Sequence, residues 1–294
     1  MPWQKVTVVG VGLLGGSLGL ALKQRGLAKQ VYGYVRRAAS IEECQRLRVV
    51  DHASQDLLLA VDGADLVVLC TPLAQMRELT HAMLPALKKG AILTDVGSVK
   101  ASVVEQLEPL LAGTGAHFVG SHPMAGAEKM GAASARADLF HNAVCVVTPT
   151  ARSKPEAVRK TEGLWKSVGA RVISLSAETH DEFVSRSSHL PHVVAAELSN
   201  YVLSPAHPRE QALLCANGFR DTTRIASGSP EMWRDIALAN RKNVARVLGV
   251  FIEDLQELQL ALERADGKSV EEFFQTGKHR RDHWCSQNAS PSPE

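Results

Sequence analysis

Glycines at positions 10, 12 and 15 stand in the stretch Lys5-Val-Thr-Val-Val-Gly10-Val-Gly12-Leu13-Leu14-Gly15-Gly16-Ser17. An apolar strand runs straight into this G-x-G-x-x-G, and a helix follows it at once. In that setting Gly10 permits the tight turn out of the strand, Gly12 lets the backbone come close to a pyrophosphate, and Gly15 allows the helix to pack on its strand. Phosphates would rest on the unpaired N–H groups at the positive end of that helix, where Leu13 and Leu14 lie. The chemistry implied is dinucleotide binding. Two further stretches gather polar groups at predicted strand ends, Asp95-Val-Gly97-Ser98-Val-Lys100 and Gly120-Ser-His122-Pro-Met-Ala-Gly126-Ala-Glu128-Lys. His122, in a loop after a strand and followed by Pro123, could take the proton of a hydroxyl as hydride leaves the same carbon. By spacing alone it could equally be a structural histidine.

A second strand ends Tyr34-Val35-Arg36-Arg37, about 20 residues past the glycines, where an NAD-binding strand carries an acid for the ribose 2′-hydroxyl. A carboxylate there would repel a 2′-phosphate, whereas a guanidinium pairs with one and can stack on adenine. Arg36 and Arg37 therefore point to NADP rather than NAD, with Arg36 the better placed of the two. Thr71 and Pro72, at the end of another apolar strand, complete the expected cofactor-facing set.

These residues need a scaffold. With 294 residues and 45% hydrophobic content the chain is long enough for two domains with a substantial core. Apolar runs at 30–35, 64–72, 90–95, 117–121, 143–148 and 171–175 read as strands. Helical segments at 76–87, 102–112 and 155–168 separate several of them. That alternation predicts an α/β fold with a doubly wound, mostly parallel sheet of the Rossmann type over residues 1–176. Beyond Ser176 the pattern turns helical, over 177–203, 210–217 and 230–264, so an all-helical domain is expected over 177–283. Ile236, Val244, Val247, Phe251, Leu255, Leu258 and Leu262 form one apolar stripe, to be covered by helices of the same chain or by a second subunit. The polar, Pro/Ser-rich end predicts a disordered tail over 284–294.

Charge and cysteines exclude several classes of function. The 33 basic and 31 acidic residues nearly balance, which argues against a nucleic-acid partner. The five cysteines are scattered and never spaced C-x-x-C, as reduced thiols are. His189 and His192 share a helix face at a metal-compatible spacing, but no further ligand motif accompanies them, so no metal is expected. Pro191 between them should bend that helix or free a carbonyl. The first strand begins by about residue 5 and no apolar run reaches the roughly 18 residues of a membrane span. A soluble, cytoplasmic protein is the expectation.

Four motifs taken together, Gly97-Ser98-Val-Lys100, Gly120-Ser-His-Pro-Met-Ala-Gly126, Ser188-His-Leu-Pro-His192 and Phe219-Arg-Asp-Thr-Thr-Arg224-Ile-Ala, resemble the prephenate/arogenate dehydrogenase family of tyrosine biosynthesis. The resemblance runs in order from the first strand to about residue 265. It implies an oxidative decarboxylation of a small dicarboxylate substrate with hydride transfer to a nicotinamide cofactor, which Arg36 and Arg37 point to as NADP, and a homodimer formed through the helical domain. It also implies roles. His122 would be the catalytic histidine on the ring C4 hydroxyl, Ser98 the serine that bonds to it near the nicotinamide, and Arg224 the arginine that holds a substrate carboxylate. Arg220, Asp221, Glu128 and His192 would line or gate the pocket. Two other readings remain: another NADP-dependent hydroxyacid dehydrogenase or imine reductase, and a non-catalytic NADP-sensing regulator.

Overall fold

The structure is a computed structural model that describes residues 2–126 and 131–288. In chain order the elements are β1 (Trp3–Val9), α1 (Leu13–Gln24), β2 (Ala28–Tyr34), α2 (Ala38–Leu47), β3 (His52–Ser54), α3 (Leu57–Val61), β4 (Leu66–Leu69), α4 (Leu73–Met83), β5 (Ile92–Asp95), α5 (Ala101–Leu107), β6 (His117–Phe118) and β7 (Gly120–Pro123). They continue as β8 (Val144–Thr148), α6 (Pro155–Ser167), β9 (Arg171–Ser174), α7 (Ala177–Val184), α8 (Leu190–Val202), α9 (Glu210–Leu213), α10 (Asn217–Thr223), α11 (Pro230–Ala239), α12 (Arg241–Glu263) and α13 (Gly267–Asn288).

Six strands pair in the order β3-β2-β1-β4-β5-β6, every neighbour parallel. Because helices cover both faces of such a sheet, its central strands bury side chains on both sides. All four residues of β4 are buried, and alternate positions go to opposite layers. Leu66 and Val68 join Val6, Val8, Leu18 and Leu22, whereas Val67 and Leu69 join Val9, Met76 and Leu93. β1 has the same alternation, which places the glycine turn at its C-terminal end, beside the reversal of strand order where such sheets present a ligand crevice. β3 was not anticipated from the sequence. It is three residues long and polar, and holds to β2 by ladder pairing and by the His52 ring 4.7 Å from that of Tyr32.

The strand expected over 117–121 is two strands. β6 pairs with β5, and beyond Val119 the chain leaves the parallel sheet, so that β7 pairs antiparallel with β8 in a second sheet of order β7-β8-β9. His122 is therefore a strand residue opposite Val146, and not part of the expected loop.

The chain packs as two compact units, Met1–Asn243 and Val244–Glu294. Ser176 caps α7, its hydroxyl accepting from the Thr179 amide at 3.0 Å, but the helices up to α11 pack into the same unit as the sheets, past the expected boundary at 176. The long helix expected over 177–203 is interrupted at Ser185–His189 by a π-helical turn, in which the Leu190 amide reaches back to the Ser185 carbonyl. Pro191 explains the interruption, since it has no N–H for the carbonyl four residues back. The helix expected over 230–264 is likewise broken at Asn240, whose side chain turns inward. In the second unit α13 continues to Asn288, so the tail expected from residue 284 is helical through 288. The pair Lys278–Asp282 at four-residue spacing and the Arg281 guanidinium over the Trp284 ring support its last turns. Residues 289–294 lie outside the described residues. Along the apolar stripe Ile236, Val244 and Val247 are buried, whereas Leu255 and Leu262 are exposed. No helix among the described residues is long and apolar enough to cross a membrane.

Candidate active site

The glycine turn behaves as its spacing requires. Gly10 has φ +97°, and a Cβ there would lie 2.9 Å from the Cys70 carbonyl oxygen. A Cβ on Gly15 would lie 2.1 Å from the Gly10 carbonyl oxygen, so only glycine lets α1 pack this close to β1. Gly12, at the N-terminus of α1, has open space around the Cβ position, and no side chain caps the helix there. Thr71, at the end of β4 and against Gly10, has a buried hydroxyl with no hydrogen-bond partner among the described residues. An open helix N-terminus beside an orphaned hydroxyl fits a bound dinucleotide phosphate, with Leu13 and Leu14 in the first helical turn. Pro72 precedes α4. Arg36 and Arg37 follow β2 and are both exposed, and Arg37 is the residue before α2.

A buried polar cluster is built between β5, α5, β7 and α7. Lys100, with no solvent exposure, pairs through Nζ with the equally buried Asp95 and donates to the Ser121 carbonyl at 2.8 Å. Asp95 also accepts from the amides of Gly97 at 2.8 Å and Ser121 at 3.1 Å. The Ser121 hydroxyl donates to the Asp95 carbonyl at 2.6 Å and accepts from the Trp165 indole at 3.0 Å. Together these contacts fix the strand that carries His122. Burial lowers the Lys100 pKa, while Asp95 opposes the shift.

His122 is 7% exposed, and its Nδ1 lies 2.8 Å from Nε2 of His180, itself buried. His180 Nδ1 lies 2.7 Å from Asp181 Oδ1. Asp181 in turn accepts from the amides of Lys100 at 2.7 Å and Ala101 at 2.9 Å, at the start of α5. Burial holds His122 well below the usual histidine pKa range, and His180, Lys100 and His189 push it the same way. Asn240 donates to the Asp181 carbonyl at 2.8 Å and lies 3.2 Å from Nδ1 of His189. His189, the last residue of the π-helical turn, is buried and its pKa falls to about 4, mainly through burial.

The other expected site residues are spread more widely. Ser98 is partly buried in the loop after β5, and no hydrogen bond joins it to His122 among the described residues. The Nδ1 position of His122 is taken by His180. His192 in α8 donates from Nδ1 to the Ser188 carbonyl at 2.9 Å and stacks on Trp233 with ring centroids 3.7 Å apart. Arg220 and Asp221 lie on α10 and Arg224 follows it, all three exposed. Glu128 lies outside the described residues. His180, Asp181 and Asn240 were not foreseen. A signal existed, since Ala177, His180, Asp181 and Val184 are the buried positions of α7, a core-facing stripe half made of ionisable groups.

A six-stranded parallel sheet with a glycine turn at its crevice defines a dinucleotide-binding fold, and the same unit carries a buried histidine hydrogen-bonded to His180, which in turn meets Asp181. The particular kind follows from its relatives. The sequence matches the family described as prephenate dehydrogenase, nucleotide-binding domain, over residues 18–174, and prephenate dehydrogenase, dimerization domain, over 176–276. It is 35% identical to cyclohexadienyl dehydrogenase of Zymomonas mobilis over 95% of each chain. It is 34% identical to prephenate dehydrogenase of Bacillus subtilis over 94% of this chain and 75% of that one. Among solved structures, prephenate dehydrogenase from A. aeolicus in complex with hydroxyphenyl propionate and NAD+ superposes with a TM-score of 0.89 at 32% identity, over 96% of this chain and 99% of that one. The chain belongs to the prephenate dehydrogenase family.

Proposed function

We propose that this chain catalyses the oxidative decarboxylation of a cyclohexadienyl dicarboxylate, arogenate or prephenate, in tyrosine biosynthesis, with NADP as hydride acceptor. The observation that carries this reading is His122, buried, hydrogen-bonded at Nδ1 and held neutral, in a chain of this family. A neutral imidazole takes a proton where an imidazolium cannot. His122 would accept the proton of the ring C4 hydroxyl at Nε2 as C4 becomes a carbonyl. The bound nicotinamide supplies the acceptor for the hydride that leaves C4. Loss of CO2 from C1 then restores aromaticity, which makes the overall step effectively irreversible.

Around that centre the protein's part is position and charge. Ser98 would bond to the reacting hydroxyl or to His122 at Nε2, since Nδ1 is occupied. Arg224 would hold one substrate carboxylate, with Arg220, Asp221, Glu128 and His192 lining or gating the pocket. The cofactor would rest on Gly10, Gly12, Leu13, Leu14 and Gly15 and against Thr71 and Pro72. The preference for NADP rests on the exposed Arg36 and Arg37 after β2, where no acid stands. Residues 1–176 would form the cofactor domain and 177–283 the substrate and dimerisation domain. The exposed Leu255, Leu262, Phe273 and Phe274 of the second unit support a homodimer, since such an apolar set is stabilised by a second copy.

Steady-state kinetics with prephenate and arogenate, each against NAD and NADP, test the proposal directly. Turnover of at least one substrate with NADP, at higher kcat/KM than with NAD, is the expected result. Absence of turnover with all four pairs would leave the non-catalytic reading.

A further inference from the structure

The two histidines and the aspartate between β7 and α7 determine where protons sit. Asp181 presents Oδ1 to the Lys100 amide at 2.7 Å and Oδ2 to the Ala101 amide at 2.9 Å. Backbone N–H groups only donate, so both carboxylate oxygens act as acceptors. His180 Nδ1, 2.7 Å from Oδ1, must then carry a proton. A neutral imidazole with its proton on Nδ1 has its lone pair on Nε2. That nitrogen faces Nδ1 of His122 at 2.8 Å and accepts from it. His122 is left with its proton on Nδ1 and its lone pair on Nε2.

We propose that His180, seated on Asp181, sets the tautomer of His122 and so keeps the proton-accepting lone pair on Nε2. His180 is a positioning residue, acting through His122 without touching substrate. The inference rests on the reading of His122 as the proton acceptor. When Nε2 takes the substrate hydroxyl proton, the O–H bond breaks and an N–H bond forms. The His122 Nδ1–H goes on donating to His180 Nε2, and the new positive charge on His122 faces a ring backed by a carboxylate. The rings meet edge to face, with centroids 5.1 Å apart, so rotation of either one breaks the bond and loses the setting. Both side chains are buried. Asn240 adds a further restraint by donating to the Asp181 carbonyl at 2.8 Å, which holds the α7 backbone at the aspartate.

The test is the tautomer itself, read in the full chain labelled with 15N-histidine by two-bond 1H–15N correlation at about pH 8, where neutral histidine dominates. The His122 signal is assigned as the one missing in His122→Asn. Wild type is expected to show His122 protonated on Nδ1, and His180→Leu to lose that form. In His180→Leu kcat is expected to fall about 10- to 100-fold, with both KM values within about threefold. His180→Gln, whose amide can donate to Asp181 and accept from His122, is expected to restore the Nδ1 form and most of the turnover. Wild-type His122 protonated on Nε2 would overturn the proposal, and that spectrum decides even if the leucine variant does not fold. Retention of the Nδ1 form and full kcat in His180→Leu would overturn it as well. An inactive wild type with the Nδ1 form intact would instead count against the proposed function alone.

Discussion

Lys100 Nζ donates to the main-chain carbonyl of Ser121 at 2.8 Å, so the residue just before His122 hangs from a lysine that has no contact with solvent. The same ammonium pairs with Asp95, which in turn holds the Ser121 amide. Breaking one half of such a pair strands a buried charge, at a cost of about 3–5 kcal/mol. Lys100→Met is therefore predicted to lower unfolding stability by about that much, measured by urea denaturation. Lys100→Met combined with Asp95→Asn should recover part of the loss. A single variant as stable as wild type would refute a structural role for the pair.

His122 is predicted to carry proton transfer. His122→Asn should bind cofactor almost normally while kcat falls by a factor on the order of 100 to 10,000. Tryptophan fluorescence titration with NADP, set beside single-turnover rates, separates the two effects. Turnover near the wild-type rate would exclude His122 as the base.

Stability should fall in mild acid for a reason that can be signed. His189 has its pKa lowered to about 4, and His122 is also lowered, both mainly by burial. Above about pH 6.5 these rings are neutral in folded and unfolded chains alike and contribute no pH dependence. Below that value the unfolded chain takes up protons that the folded site refuses, so stability drops as pH falls, until the pH reaches the lowered pKa. For His189 alone the loss at pH 4 is about 3 kcal/mol. His189→Gln is predicted to flatten the curve between pH about 6.5 and 4 by that order. Parallel stability curves for variant and wild type would show that His189 titrates normally.

Arg36 is predicted to read the cofactor's 2′-phosphate. Loss of a charge-assisted contact costs about 1.5–3 kcal/mol, so Arg36→Ala should raise KM for NADP roughly 10- to 100-fold and leave KM for NAD little changed. Equal use of both cofactors by wild type would remove the basis of this prediction.

Arg224 is predicted to anchor a substrate carboxylate. Arg224→Ala should raise substrate KM at least about tenfold without a comparable change for the cofactor, with lysine rescuing only in part because it lacks the two-pronged geometry. If substrate KM stayed put, Arg220 would be the next residue to substitute.

Assembly is predicted to depend on the second unit. Its helices expose Leu255, Leu262, Phe273 and Phe274, and Phe273 and Phe274 border a groove of about 800 Å³ that Leu258 and Ala261 also line. Light scattering should give a dimer for wild type, and Phe273→Asp with Phe274→Asp should shift it toward monomer. A monomeric wild type at micromolar concentration would reject the dimer.

The sequence alone was enough to place the glycine turn and the alternation of strands and helices. These depend on short-range patterns: a strand, a turn and a helix within a dozen residues, and apolar runs whose length and spacing reflect burial on one face or two. Four motifs in order also carried the family resemblance. Local pattern says nothing about which distant groups meet. His122 finds His180 across 58 residues, and Asp181 finds the Lys100 amide across 81. Both contacts exist because β7 leaves the parallel sheet after Val119 and α7 packs against the start of α5. The break at Asn240 was hidden for the same reason, whereas the π-helical turn had a local signal in Pro191. Helical periodicity continues across Asn240, and the Asp181 carbonyl that its side chain meets is supplied by another part of the fold. Residue types and the family resemblance thus singled out His122 as a candidate, but the second histidine and the carboxylate at its back were brought there only by tertiary packing.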